Sequence, residues 1–106
     1  MTDPISRPTP LQSEFASDAG MRELIQLFVD ELPQRIAEFR SAWERASASE
    51  LGRLAHQMKG AAPGYGYTSL GDSAKALESA LKHAAHDLSA VQREFDSLIQ
   101  LCGRVV

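Results

Sequence analysis

At 106 residues, 43% hydrophobic and 24% charged, the chain has the size of one ordinary globular domain and too little length for two. Eleven Lys and Arg against fourteen Asp and Glu leave a net charge of −3, which excludes an overall positive field for nucleic acid or an anionic membrane. The single cysteine, Cys102, can neither close an internal disulfide nor build a thiolate-rich zinc site; no apolar run nears the roughly 18 residues that span a bilayer. Met1-Thr2-Asp3-Pro4 lacks the basic-then-apolar pattern of a leader, so a cytoplasmic protein is expected.

Residues 1–17 carry Pro4, Pro8 and Pro10 among Thr, Ser and Gln, which predicts an extended arm or a short extra helix, tethered by Leu11 and Phe15. From about Asp18, apolar residues recur at Met21, Leu24, Ile25, Phe28, Leu32, Ile36, Phe39, Trp43 and Ala46, one face of a long helix. Pro33 inside it predicts a kink or break near Leu32. Ser47-Ala48-Ser49-Glu50 reads as a capping box for a second helix, with Leu51, Leu54, Ala55, Met58 and Ala62 inward and Pro63-Gly64-Tyr65-Gly66 as its stop. Ser69 and Asp72 are expected to cap a third, striped by Leu70, Ala74, Leu77, Leu81 and Ala84 and ending near His83 to His86. Asp87 is the expected N-cap of the last, with Leu88, Val91, Phe95, Leu98, Cys102 and Val105 as its stripe. No segment alternates like a strand, so residues 18–106 are expected to form an all-α, antiparallel up-down four-helix bundle. Trp43, Phe28, Phe39 and Phe95 belong to its core, and Cys102 is expected to be a buried, unreactive thiol. Tyr65 and Tyr67 either rim a partner surface or pack at the bundle end.

His56 breaks the pattern of the second helix. Advancing about 100° per residue puts it roughly 140° from Leu51, on the outer half with Gly52, Arg53, Lys59 and Gly60. A lone histidine is more often a satisfied core residue, but this one faces away from the core. Gly52 and Gly60 lie four residues before and after it, and a glycine costs roughly 1 kcal/mol against alanine inside a helix. Gly52 sits early in the helix, where that cost is small, so Gly60, about ten residues inside, is the stronger case, and without side chains there another protein's backbone could approach the imidazole closely. Lys59, one turn on, sets an ammonium where an anion attached to the ring would sit, and Arg53, one turn back, adds to that field. A neutral imidazole nitrogen is a good nucleophile near pH 7, and a neighbouring cation favours the neutral form, so the chemistry that fits is phosphoryl acceptance. Acyl transfer lacks a serine or cysteine on that face, and metal binding at His56 lacks further ligands.

Leu54-Ala55-His56-Gln57-Met58-Lys59-Gly60-Ala61-Ala62-Pro63-Gly64-Tyr65-Gly66 closely resembles the signature of histidine-containing phosphotransfer (HPt) domains, those of hybrid sensor kinases and chemotaxis kinases among them. Gly66 fills the place of the glycine ten residues after the histidine, and Ala74-Lys75-Ala76-Leu77-Glu78 resembles the Ala-x-x-Leu-Glu of the next helix. Leu27-Phe28-Val29-Asp30-Glu31-Leu32-Pro33 is similar to the preceding helix of bacterial members. Pro63 departs from the small residue usual there and predicts a bend or an early stop. The resemblance implies a phosphorelay intermediate of a two-component system, with His56 taking a phosphoryl group from a receiver-domain phosphoaspartate and passing it to another receiver. It implies Lys59 and Gly60 as the residues that accommodate the phosphoryl group, Glu78 as a partner of the second ring nitrogen, and Arg53, Gln57 and Gly52 as supporting or partner-facing positions. Response-regulator receivers and a hybrid sensor histidine kinase are the implied partners, magnesium is supplied by the receiver, and the chain itself, expected to be a monomer, needs no cofactor, metal or ATP site. Gly64 to Gly66 does not have the spacing of a phosphate-binding loop.

The alternative is a helical adaptor that binds receiver or kinase domains without being phosphorylated. A metal cluster of His83, His86 and Asp87 is the weaker reading of histidines at a helix C-terminus, where the dipole favours them. An enzyme with its own substrate pocket would need a concave site, for which a bundle this small has little room.

Overall fold

The computed structural model describes residues 9–84 and 87–106. In chain order, α1 spans Arg22–Glu44, α2 Ala48–Ala61, α3 Thr68–Lys82 and α4 Gln92–Arg104, with 3-10 turns at Ala19–Met21, Ala62–Tyr65 and Leu88–Val91. Four contacts fix the helix directions. Phe28, early in α1, stacks on Tyr65 and Tyr67 between α2 and α3 at centroid distances of 4.9 and 5.4 Å. The Tyr67 hydroxyl donates to the Val106 carbonyl, just beyond α4, at 2.8 Å. At the other end Trp43, late in α1, stacks on Phe95, early in α4, at 4.3 Å. Helices so tied run up, down, up and down, which is the antiparallel bundle expected from the stripes. Those stripes supply the core: Phe28, Leu32 and Phe39, then Leu51, Leu54, Ala55 and Met58, then Leu70, Ala74 and Leu77, then Val91, Phe95, Leu98 and Cys102. Each large side chain so buried contributes about 1.5–3 kcal/mol before entropy is counted.

Several local expectations are corrected. α1 runs through Pro33 without a break, because Pro33 is exposed while Leu32 and Ile36 on either side are held by the core, offsetting the lost hydrogen bond. Leu24 lies on the α1 stripe yet is 46% exposed: α1, at about 34 Å, overhangs the shorter α4, at about 20 Å. Trp43 is half-buried. Ala46 is past the end of α1 in the left-handed region at φ 53°, where its N–H donates to Trp43 and that of Ser47 to Ala42, a Schellman closure with alanine in glycine's usual place. Only half of the capping box forms: Ser47 Oγ accepts from the Glu50 N–H at 3.2 Å, but the Ser47 N–H is taken by Ala42 and the Glu50 carboxylate by Arg53. Ser69 does not cap α3, whose N-cap is the buried Tyr67, held by its own N–H to the Ala62 carbonyl at 3.0 Å. Asp87 caps the 3-10 turn ahead of α4 rather than α4 itself, accepting from the Ser89 N–H at 3.1 Å. The two tyrosines pack at the bundle end, and burial raises the Tyr67 phenol above its ordinary value.

The described part of the arm is docked. Leu11 forms a parallel bridge with Val105, its N–H donating to Arg104 at 2.7 Å and its carbonyl accepting from Val106 at 3.1 Å. Phe15, 39% exposed, is not the second tether; that role falls to Ser13, which is 6% exposed. Ser13 Oγ donates to the Tyr65 carbonyl at 2.6 Å and accepts from the Phe15 N–H at 3.0 Å, while the Glu14 N–H reaches the Gly66 carbonyl at 2.8 Å. Among the described residues only the 3-10 turn at Ala19–Met21 stands for the extra helix. Pro4, Pro8 and His86 lie outside the described residues. No helix among those described is long and apolar enough to cross a membrane.

Candidate functional site

The site lies where α2 and α3, the most extensively paired helices, meet at the surface. Burial of Leu51, Leu54, Ala55 and Met58 turns His56 outward, and its side chain is 69% exposed. From α3, burial of Ala74 and Leu77 sets Glu78 at the seam, 13% exposed by side chain. One carboxylate oxygen of Glu78 lies 2.8 Å from His56 Nδ1, and the other accepts from Lys59 Nζ at 2.7 Å. First Lys59 and then His56 hold the Glu78 carboxyl below its ordinary value, so it is ionised near neutrality and can only accept. Nδ1 therefore carries the ring proton, and the Nε2 lone pair is the free one.

A Cβ built on Gly52 or Gly60 meets nothing within 4 Å. Gly60 stands in the last turn of α2 rather than deep inside it, because α2 ends at Ala61 and continues as a 3-10 turn through Pro63, the early stop its proline implied. The Arg53 guanidinium forms a two-point pair with the Glu50 carboxylate, which lowers the Glu50 carboxyl and raises Arg53. Gln57 is exposed beside His56. Between α2 and α3 a groove of about 370 Å³ opens next to Glu78, lined also by Ala48, Ser49, Gly52, Leu81 and Lys82.

Other candidates stay apart from this face. No group of three or more His, Cys, Asp or Glu able to hold a metal exists among the described residues, and the His83 ring bonds the Ser79 carbonyl at 2.9 Å. Cys102 is 3% exposed, and burial pushes its thiol up to about 12, far from nucleophilic use.

The sequence model of the Hpt domain matches residues 23–106. The chain belongs to the Hpt domain family. No curated protein and no solved structure gives a match to it. Hpt domains are helical carriers in two-component signalling, not kinases; they act in phosphotransfer and interact with receiver domains and kinases. Within this Hpt domain, the structure adds two residues that periodicity did not single out. Gly71 gives its side-chain space to Pro63, whose ring would lie 2.7 Å from an added Cβ, and Ser13 secures the turn that carries Gly66. The arm bearing Ser13 precedes the matched residues.

Proposed function

We propose that this Hpt domain is a phosphorelay intermediate in which His56 is the phosphoacceptor. The observation that carries the reading is the Glu78 carboxylate on His56 Nδ1, which leaves Nε2 with its lone pair toward solvent on a face cleared of side chains at Gly52 and Gly60. Nε2 attacks the phosphorus of a receiver's aspartyl phosphate; the N–P bond forms as the P–O bond to the aspartyl carboxylate breaks, and that carboxylate leaves with the electron pair. The positive charge that develops on the ring is balanced through Nδ1–H by Glu78. Lys59, one turn from His56, exchanges Glu78 for the phosphoryl oxygens, and Gly60 leaves them space. The reverse sequence loads a second receiver. Magnesium belongs to the receiver's own carboxylates, and the partners are response-regulator receivers and a hybrid sensor histidine kinase, met by a monomer in the cytoplasm.

The test is transfer of labelled phosphate from purified phosphorylated receiver domains, with magnesium, to wild type and to His56→Gln. Wild type is expected to take up acid-labile phosphate and the variant, equally folded by circular dichroism, to take up none. Label on His56→Gln would overturn the assignment of the residue. Receiver binding without any labelling of wild type would instead favour the non-catalytic adaptor.

A further inference from the structure

A phosphoryl group on His56 Nε2 brings close to two negative charges. Lys59 supplies one cation against them, and in leaving Glu78 it leaves a bare carboxylate close by. That balance lacks a second cation. We propose that Arg53 supplies it: when His56 is phosphorylated, the guanidinium leaves Glu50 for the phosphoryl oxygens, and Glu50, by competing for it, sets how firmly the group is held. The proposal rests on the reading of His56 as phosphoacceptor.

The direction of the ring favours Arg53. Side chains of an α-helix lean toward its N-terminus, so the His56 imidazole leans toward the turn that holds Gly52 and Arg53. The structure agrees with that lean: Glu78, whose carboxylate meets His56 Nδ1, also lines the groove beside Ser49 and Gly52. A Cβ added at Gly52 meets nothing within 4 Å, which leaves room for phosphoryl oxygens on the Arg53 side of the ring. Arg53 is three residues before His56, a spacing of about 5–6 Å between Cβ atoms, and a planar guanidinium takes two oxygens of one phosphoryl group at once. Its present pair is easily given up. Arg53 Nε donates to one Glu50 oxygen at 3.0 Å and a second N–H to the other, but the two side chains are 52% and 31% exposed, and exposed ion pairs are weak. Glu38, from α1, pulls on the same guanidinium less than Glu50 does. Glu50 is not stranded when Arg53 leaves. It stands in the first turn of α2, where the helix dipole favours an anion, and the Arg45 charge also acts on its carboxyl.

The readout is the equilibrium constant for exchange of the phosphoryl group between phosphoramidate and the full chain. The P–N bond of the small donor breaks as the bond to Nε2 forms, ammonia leaves with the electron pair, and added ammonium lets the reaction run both ways, so no docked partner enters. Phosphorus NMR counts both species, with the signal from His56→Gln subtracted. Arg53→Gln is expected to lower the constant about fivefold, the size of an exposed charge-assisted contact, and Glu50→Gln to raise it about threefold. Both substitutions break the same ion pair, so a merely structural role moves them together, whereas competition moves them in opposite directions. In the double variant the gain from Glu50→Gln should vanish, and Arg53→Lys should keep about half of the wild-type constant. An unchanged constant in Arg53→Gln overturns the proposal, as does a fall in both single variants. A gain that survives in the double variant also overturns it, because Glu50 then acts on the phosphoryl group without Arg53. If circular dichroism finds Arg53→Gln unfolded, an unchanged constant in Glu50→Gln overturns it. A fall in Lys82→Gln with none in Arg53→Gln assigns the second cation to the groove lysine and likewise overturns it. Wild type refractory to phosphoramidate brings down the phosphoacceptor reading itself.

Discussion

Beside His56, a methyl group added at Gly52 or Gly60 meets nothing within 4 Å; at the α2–α3 turn, one added at Gly66 collides with the Ser13 hydroxyl and lies 2.9 Å from the Glu14 nitrogen, and one at Gly71 lies 2.7 Å from the Pro63 ring. The same residue type thus answers two different demands within a few turns of chain. At the turn, glycine is required by this molecule's own packing and, at Gly66, by a φ of +88° that side chains strain to adopt. On the outer face of α2 it is required by nothing inside the molecule. Polar groups divide in the same way. Ser13 is 6% exposed with its hydroxyl fully engaged by backbone, whereas His56 is left with one nitrogen bonded and one open.

That contrast can be broken by substitution. The largest effect is expected from Gly66→Ala, which combines a left-handed backbone with displacement of the Ser13 strap and should destabilise the fold by about 2–3 kcal/mol in urea unfolding. A loss below about 0.5 kcal/mol would show that the strap is not holding the turn. Gly60→Ala should behave in the opposite sense, gaining about 0.5 kcal/mol because the added methyl enters open space near the end of α2, while phosphate uptake from a receiver falls. Unimpaired uptake would mean that the space at Gly60 is not used by the phosphoryl group. The smallest effect concerns pH. Glu78 is held below its ordinary value in the folded protein, so its contribution to stability is complete above the unfolded value, near pH 4.3, and is lost as pH falls through the lower folded one. Thermal melts of wild type and Glu78→Gln should therefore differ at pH 7 and converge toward pH 3; curves that stay parallel would sink the claim.

What the sequence reveals follows from how far apart the interacting residues are. The helices and their inward faces repeat every three or four residues, so Leu51, Leu54, Ala55 and Met58 announce themselves, and His56 is conspicuous as the exception among them. Pairs within one turn are harder to rank: Glu50 and Arg53 are three apart on α2, but the capping-box pattern also claims Glu50, and spacing alone does not decide between the cap and the ion pair that forms. Glu78 is 22 residues from His56 on another helix, and no periodicity connects them; only the resemblance of Ala74-Lys75-Ala76-Leu77-Glu78 to the family's helix did so. Ser13 is 52 residues from the Tyr65 carbonyl it binds, in an arm without repeat or stripe, and Gly71 is explained only by a proline ring on the preceding turn. Helix starts were misplaced for a related reason: burial of Tyr67, not a local hydroxyl, decides where α3 begins.

The bridge between Leu11 and Val105, reinforced by Arg104 Nε donating to the Thr9 carbonyl at 2.7 Å, leaves the entrance and exit of the bundle side by side. A unit whose ends meet can be spliced into a surface loop of a host protein without prising the host apart, and its own ends can be joined and reopened elsewhere. For protein engineering this makes the bundle a cassette, a four-helix unit that can be grafted wherever a loop tip offers two neighbouring attachment points.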